Sequence, residues 1–386
     1  MSDKSKLLEE GSTYGATESQ TSPGTVVADP PCVGHHLISK IIVALLCGMA
    51  FGLAVHKSGV NRADILRDQF RLNNYIMLQV FMAATGVSTL MMLFIRLLPV
   101  DQHPYDKPDT ACNKGIGWPA TLIGTFMLGI GMSLAGACPG TVYAQIGSGS
   151  YRSLITILSM TVSCGIFGIV HPHIKHLQAY GVGSHEAISQ YWVAISKPIL
   201  LLIVSAVMLL GCTAVALLTT LPPLDYGVTA TYWHPMVCGA IIGLCQLPIS
   251  LVIRQNLGSA MSYCSLAGSL LFFTDKFPYL KKYRCLKFGM WWQPFYLLCA
   301  ALGSYLGGQL LTVPAETLYR APELTYVQMV VGGFFLMFGA RLAGGCTSGH
   351  GISGVSNLCW RSLAAIGTMF AGAIATAFII NPGNNH

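Results

Sequence analysis

The sequence predicts an all-α integral membrane protein: about nine transmembrane helices in an inverted 4+1+4 repeat, with short re-entrant helices. Three observations lead there. The 386 residues are 53% apolar and only 10% charged, with a mean hydropathy of +0.58, whereas soluble domains carry about 25% charged residues. The apolar residues gather into stretches of roughly the 20 residues an α-helix needs to cross hydrocarbon. One phrase also occurs twice, as Leu134-Ala135-Gly136-Ala137-Cys138 and as Leu342-Ala343-Gly344-Gly345-Cys346.

The spans fall near residues 37–56, 74–98, 117–136, 152–172, 198–221, 234–253, 289–312, 325–343 and 361–380. Transmembrane strands would be about half as long and would alternate in polarity, so a barrel is excluded. Residues 1–36 are polar and rich in Ser, Thr and Gly, and read as a disordered cytoplasmic tail. With no apolar segment at the extreme N-terminus, no cleaved signal peptide is expected. The domain reading is therefore the tail, a first repeat over 37–172, a connecting segment with one span over 173–232, a second inverted repeat over 233–381, and a short tail over 382–386.

Basic residues set the orientation. Nine spans put sixteen Lys and Arg on the side of the N-terminus and six on the other, which predicts a cytoplasmic N-terminus and an external or lumenal C-terminus. The net charge of +7 thus reads as membrane orientation. Nucleic acid is not expected as a partner, because no extramembrane domain gathers the charge.

The repeat extends past the cysteine phrase. Cys47-Gly48 with Gly52-Leu53 recurs as Cys238-Gly239 with Gly243-Leu244, and Tyr151-Arg152-Ser153-Leu154 as Trp360-Arg361-Ser362-Leu363. Four spans, a connector and four more spans place the second half upside down relative to the first. In transporters of that build, the substrate site lies near the midplane at the repeat interface. Residues 137–151 and 344–359 are too glycine-rich to span and hold no acidic residue. They are expected to dip back into the membrane, where irregular backbone survives only if buried in protein or lining a cavity. Residues 60–72 and 255–266 read as a second pair of short elements. The small-xxx-small pairs Gly48/Gly52, Gly239/Gly243 and Gly303/Gly307 are read as helix-packing surfaces.

No Asp or Glu lies inside an expected span, so no buried carboxylate relay is visible. There is no P-loop. Thirteen cysteines contain no CxxC pair, which weakens zinc and iron–sulfur readings. Six lie in expected spans, as small apolar residues do, and a disulfide framework is not expected. No cofactor is implied. What remains at depth is neutral donors, which suit an anion held weakly at several places in series. Pro139 fits a first helical position and sets Cys138 at a short helix start, where N–H groups are electropositive and a thiol becomes a better donor. Gly140 allows close approach. Thr347 and Ser348 are ligands or caps. His350, four residues after Cys346, donates to the anion, tunes the thiol or bonds a backbone carbonyl. Arg152 and Arg361 focus anions at the mouths or brace helix ends. Arg341, with Ser133 at the matching position, breaks the symmetry as a gate or a balancing charge.

Gly344-Gly345-Cys346-Thr347-Ser348-Gly349-His350-Gly351-Ile352-Ser353-Gly354 resembles the signature of the YeeE/YedE sulfur-transport family. Ala135-Gly136-Ala137-Cys138-Pro139-Gly140 resembles its first-half partner. The resemblance covers nearly all of residues 37–381. It implies uptake of thiosulfate or a similar sulfur anion along a narrow route, with Cys138 and Cys346 passing the ion by S–H hydrogen bonds. Family members often carry a further cysteine soon after the first span. Here Asn61 stands at that place, an amide donor where a thiol is expected. The long polar tail is unlike compact bacterial members and points to a eukaryotic source. Within it, Asp3-Lys4-Ser5-Lys6-Leu7-Leu8 resembles an acidic dileucine signal, which sets endosomes or lysosomes beside the plasma membrane as destinations.

Three functions compete at this stage. One is transport of thiosulfate or a related anion, with a soluble sulfurtransferase as a possible partner. Another is a membrane sulfurtransferase forming a persulfide on Cys346. The third is a channel for another small solute, or a membrane scaffold. The substrate-binding set is Cys138, Cys346, Gly140, Thr347, Ser348, His350 and Asn61, with no metal.

Overall fold

The computed structural model describes residues 35–98, 116–180, 196–219, 232–270, 279, 292–309 and 324–380. The N-terminal tail with its dileucine resemblance lies outside them. The described chain forms helices α1 (His35–Lys57), α2 (Ala63–Phe70), α3 (Ile76–Leu97), α4 (Trp118–Ala135), α5 (Thr141–Gly147), α6 (Ser153–Ala179), α7 (Lys197–Leu218), α8 (Pro235–Leu244), α9 (Ala260–Leu270), α10 (Trp292–Gln309), α11 (Tyr326–Ala343) and α12 (Trp360–Ile380). Two stretches are π-wound, Ile249–Ile253 and Ser348–Gly354.

Eight helical stretches among the described residues are long and apolar enough to cross a membrane. They match eight of the nine expected spans. The remaining expected span, the seventh, contains α10, whose 18 described residues fall short of the others in apolarity, with Gln293 and Gln309 near its two ends. The fourth span is longer than expected, since α6 runs on through Pro172 to Ala179. The sixth continues from α8 through Gln246–Pro248 and the π turn to Ile253, then stops where Arg254 takes φ 58°.

Starts and stops follow local chemistry. Pro119, Pro198 and Pro235 open α4, α7 and α8, where a missing N–H costs nothing. Thr325 and Gln328 close a capping box on α11.

Glycines let the helices touch along their backbones. A Cβ on Gly339 would stand 2.4 Å from the Gly124 carbonyl, and one on Gly131 would stand 2.3 Å from the Leu336 nitrogen. Helices α4 and α11 therefore lie in contact along their lengths. The packing reads alike from either half. Helix α12 lies on α4 and α6 lies on α11; α10 lies on α1 and α3 lies on α8. Gly48 and Gly52 meet Tyr296 and Ala300, just as Gly239 and Gly243 meet Val80 and Ala84. Helix α7 packs on α3, anchored by Ser205 Oγ donating to the Gly86 carbonyl at 2.9 Å. Its other faces expose Leu202, Val207, Leu210 and Leu217, as a helix at a lipid-facing periphery does.

Candidate functional site

Each repeated phrase ends a long helix in the same way. After α4, Gly136 takes φ 57°; after α11, Gly344 takes φ 74°. Both are left-handed caps that glycine adopts without a Cβ penalty. The chain then reverses into a short helical element, with the cysteine two residues beyond the cap.

In the first half the Cys138 backbone N–H donates to Thr141 Oγ1 at 2.8 Å, and the Thr141 N–H donates to Cys138 Sγ at 3.4 Å. The thiol thus caps the start of α5. Gln145 holds the turn by donating to the Gly136 carbonyl at 2.9 Å. In the second half Cys346 Sγ lies 3.3 Å from Ser348 Oγ and 3.5 Å from Ser259 Oγ. The backbone N–H groups of Ser259 and Gly349 lie close to this sulfur. Cys346 therefore sits where α9 and the Ser348–Gly354 turn both begin, among N–H groups that their own helices leave unpaired.

Ser259 joins the two halves. A Cβ on Gly140 would lie 3.6 Å from Ser259 Oγ and 3.1 Å from Phe51 Cζ. The loop bearing Cys138 thus reaches Cys346 through one buried serine. Aromatic rings wall the junction. Tyr263 Oη donates to the Pro139 carbonyl at 2.6 Å and packs against Tyr143, with ring centroids 5.8 Å apart. Phe51 packs against Tyr296 at 5.6 Å. The Tyr296 hydroxyl is buried and has no hydrogen-bond partner among the described residues. Described carboxylates are confined to Asp64 and Asp68 of α2, so none lies in the junction.

The other expected site residues divide. Gly140, Ser348 and both cysteines belong to the junction. Thr347 Oγ1 meets Met132 Sδ at 3.3 Å and so ties the second motif to α4. The His350 ring is engaged elsewhere, with Nδ1 3.2 Å from Ser362 Oγ and Nε2 3.2 Å from the Ala343 carbonyl. It fills the space that Gly345 leaves, since a Cβ there would stand 2.8 Å from the ring. Asn61 belongs to a separate buried cluster. Its Nδ2 donates to Ser148 Oγ at 2.6 Å and lies 3.5 Å from His56 Nδ1; Ser148 lies 2.8 Å from Ser304. Asn61 Oδ1 is buried without a hydrogen-bond partner among the described residues. Ser148 caps the C-terminal end of α5, so α5 separates this cluster from Cys138 by about 10 Å, at 1.5 Å per residue.

The arginines also divide. Arg152 is exposed and rests over Tyr326, while Arg361 is buried. Arg341 is buried too: its Nε donates to Tyr279 Oη at 2.8 Å and its Nη1 to Met261 Sδ at 3.0 Å.

Sequence reasoning did not single out Ser259, Tyr263, Phe51 or Tyr296. Ser259 had a signal, since it lies within the short element expected over 255–266. The aromatics had none, because their role depends on which helix lies opposite.

Comparison with known proteins relates the chain to others by sequence. A family model described as Sulphur transport matches residues 57–375. The chain is 23% identical to the thiosulfate transporter TsuA of Escherichia coli (strain K12), over 89% of this chain and 96% of that protein. It is 25% identical to the TsuA of Spirochaeta thermophila, over 88% of this chain and 99% of that protein. A protein of Xylella fastidiosa (strain Temecula1) named as a probable transporter is 27% identical over 38% of this chain and 93% of its own length.

Proposed function

Since the chain belongs to the Sulphur transport family, we propose that it carries thiosulfate or a related small sulfur anion across a membrane, through the junction of the two cysteine motifs. The observation that carries this reading is the placing of Ser259 between Gly140 and Cys346. Names given to two relatives support the choice of ion, because both are thiosulfate transporters.

The physics is that of a charge leaving water. An anion at this depth needs donors to replace its hydration. Helix starts supply N–H groups carrying partial positive charge, and the thiols and the serine hydroxyl add neutral donors. None of these holds the ion as a fixed cation would, so it binds weakly and moves on. Asn61, with His56, Ser148 and Ser304, forms a further polar station at the other end of α5. Its amide takes the place of the thiol that the family resemblance leads one to expect.

The exchanged packing partners support an inverted repeat in which α7 is the crossing connector. The basic-residue count supports a cytoplasmic N-terminus.

Passage is favoured over covalent sulfur transfer by the orientation of His350. A persulfide mechanism asks for a base beside Cys346, and the ring nitrogens of His350 are engaged by Ser362 and Ala343 instead. The test is uptake of labelled thiosulfate into proteoliposomes, with sulfate, sulfite and selenosulfate as competitors. Uptake above that of empty liposomes, competed by the sulfur and selenium analogues ahead of sulfate, is the expected result. Uptake equal to that of empty liposomes refutes the reading.

A further inference from the structure

Two thiols outside the motifs touch. Cys164 of α6 and Cys264 of α9 bring their sulfurs to 3.3 Å. Both are free and fully buried, and they lie 100 residues apart in the chain. The route argued above uses neither. Arg341 presents its guanidinium to the same face of α9, since its Nη1 bonds Met261 Sδ at 3.0 Å and Met261 stands three residues before Cys264. The thiolate is the form that attacks an oxidant, and the guanidinium on this face of α9 is the group that would balance its charge.

We propose that Cys164 and Cys264 are a redox modification site whose oxidant is a small hydroperoxide such as hydrogen peroxide. One thiolate attacks a peroxide oxygen, the O–O bond breaks, and a sulfenic acid forms while the departing hydroxide takes a proton to become water. The second thiol attacks the sulfenic sulfur, the S–O bond breaks, and its hydroxyl leaves as water with the thiol proton. Two thiols and one peroxide thus give one disulfide and two waters; the sulfurs lose two electrons and the peroxide gains them. A disulfide is about 2.05 Å long, so the sulfurs must close by roughly 1.2 Å from their present separation.

The bridge fastens α9 to α6. Helix α9 begins at Ala260, directly after Ser259, whose hydroxyl faces Cys346. Oxidation at Cys264 therefore fixes the element that brings Ser259 to the junction. This consequence rests on the transport reading; the bridge itself does not.

The experiment uses the full chain in liposomes, reduced and then titrated with hydrogen peroxide. Free thiols are alkylated in denaturant and the peptides mapped by mass spectrometry, with thiosulfate uptake measured in parallel. The expected result is a Cys164–Cys264 linked peptide formed before Cys138 or Cys346 is modified, and a several-fold fall in uptake that a reductant reverses. Cys164→Ala and Cys264→Ala, made separately, should each abolish the bridge and the reversible fall. Full alkylation of the pair after Cys138 and Cys346 have oxidised overturns the proposal, as does a bridge in its place between Cys47 and Cys245, whose sulfur lies 3.8 Å from the Cys47 carbonyl. A Cys164–Cys264 bridge that leaves uptake unchanged overturns the control of transport. If the reduced protein carries no thiosulfate, the transport reading fails, and the peptide map alone decides the redox pair.

Discussion

Ser259 Oγ lies 3.5 Å from the sulfur of Cys346, although 87 residues separate them in the chain. The same hydroxyl faces the Gly140 loop that follows Cys138. One serine thus stands between the motifs, and it should matter as much as either cysteine. A hydrogen bond to a charged group contributes about 1.5–3 kcal/mol. Ser259→Ala is expected to slow thiosulfate uptake about tenfold or more, with thermal stability near that of the parent. Ser259→Cys, which keeps a donor, should retain most of the rate. Equal uptake by parent and alanine variant would remove Ser259 from the route.

The glycine caps predict a stability effect. Gly344→Ala forces an L side chain to φ 74° and brings its Cβ within 2.2 Å of Ile116 Cδ1. Gly136→Ala sets its Cβ 2.7 Å from Ala63 Cβ at φ 57°. The left-handed conformation alone costs about 1–2 kcal/mol. Both variants should unfold several degrees below the parent in a detergent melt. Gly367→Ala is the control: its Cβ meets nothing within 4 Å, and the change should be neutral or slightly stabilising. Equal melting of all three would contradict the cap geometry.

His350 is expected to hold the second motif together rather than to titrate with transport. Removing the ring leaves Ser362 Oγ and the Ala343 carbonyl without the contacts that it makes, a loss of about 1–3 kcal/mol for buried polar groups. His350→Ala should melt lower, while the folded fraction keeps the pH profile of the parent through the ordinary histidine range near 6.5. A change in the shape of that profile would give His350 a direct part in moving the ion.

Asn61 offers a substitution in the opposite direction. Its amide bonds Ser148 within a cluster that includes His56 and Ser304. Asn61→Cys restores a thiol donor and should support uptake within a few-fold of the parent. Asn61→Leu removes every donor and should cut uptake at least tenfold. If both variants carry thiosulfate at the parental rate, the station at the end of α5 is not on the path.

Much of this fold is legible in the sequence because membrane depth restricts what a chain can be. Eight expected spans reappear as apolar helices, since lipid demands long apolar stretches with their backbone bonds closed internally. The short elements were legible for a related reason. The glycine-rich runs 137–151 and 344–359, neither polar loops nor spans, became α5 and the Ser348–Gly354 turn, and the second expected pair, 60–72 and 255–266, became α2 and α9. Two things were hidden. The span ending at Ala179 looked shorter because Pro172 marks a usual stop, yet α6 continues past it. The partners of Cys346 were hidden because Ser259 reaches it through tertiary packing. His350 shows the limit of periodicity: four residues from Cys346 and bonded through its backbone N–H to the Cys346 carbonyl at 2.9 Å, it would share a face with the thiol on a helix, but its ring nitrogens are engaged by Ser362 Oγ and the Ala343 carbonyl.

The central claim is that the two motif cysteines pass one anion between them. The most direct test is initial-rate uptake of labelled thiosulfate by proteoliposomes bearing Cys138→Ser, Cys346→Ser and the double variant, normalised to folded protein. Each single variant should lose most of the rate, and the double variant should lose little more, because both act on one path. Parental rates in both single variants would contradict the account.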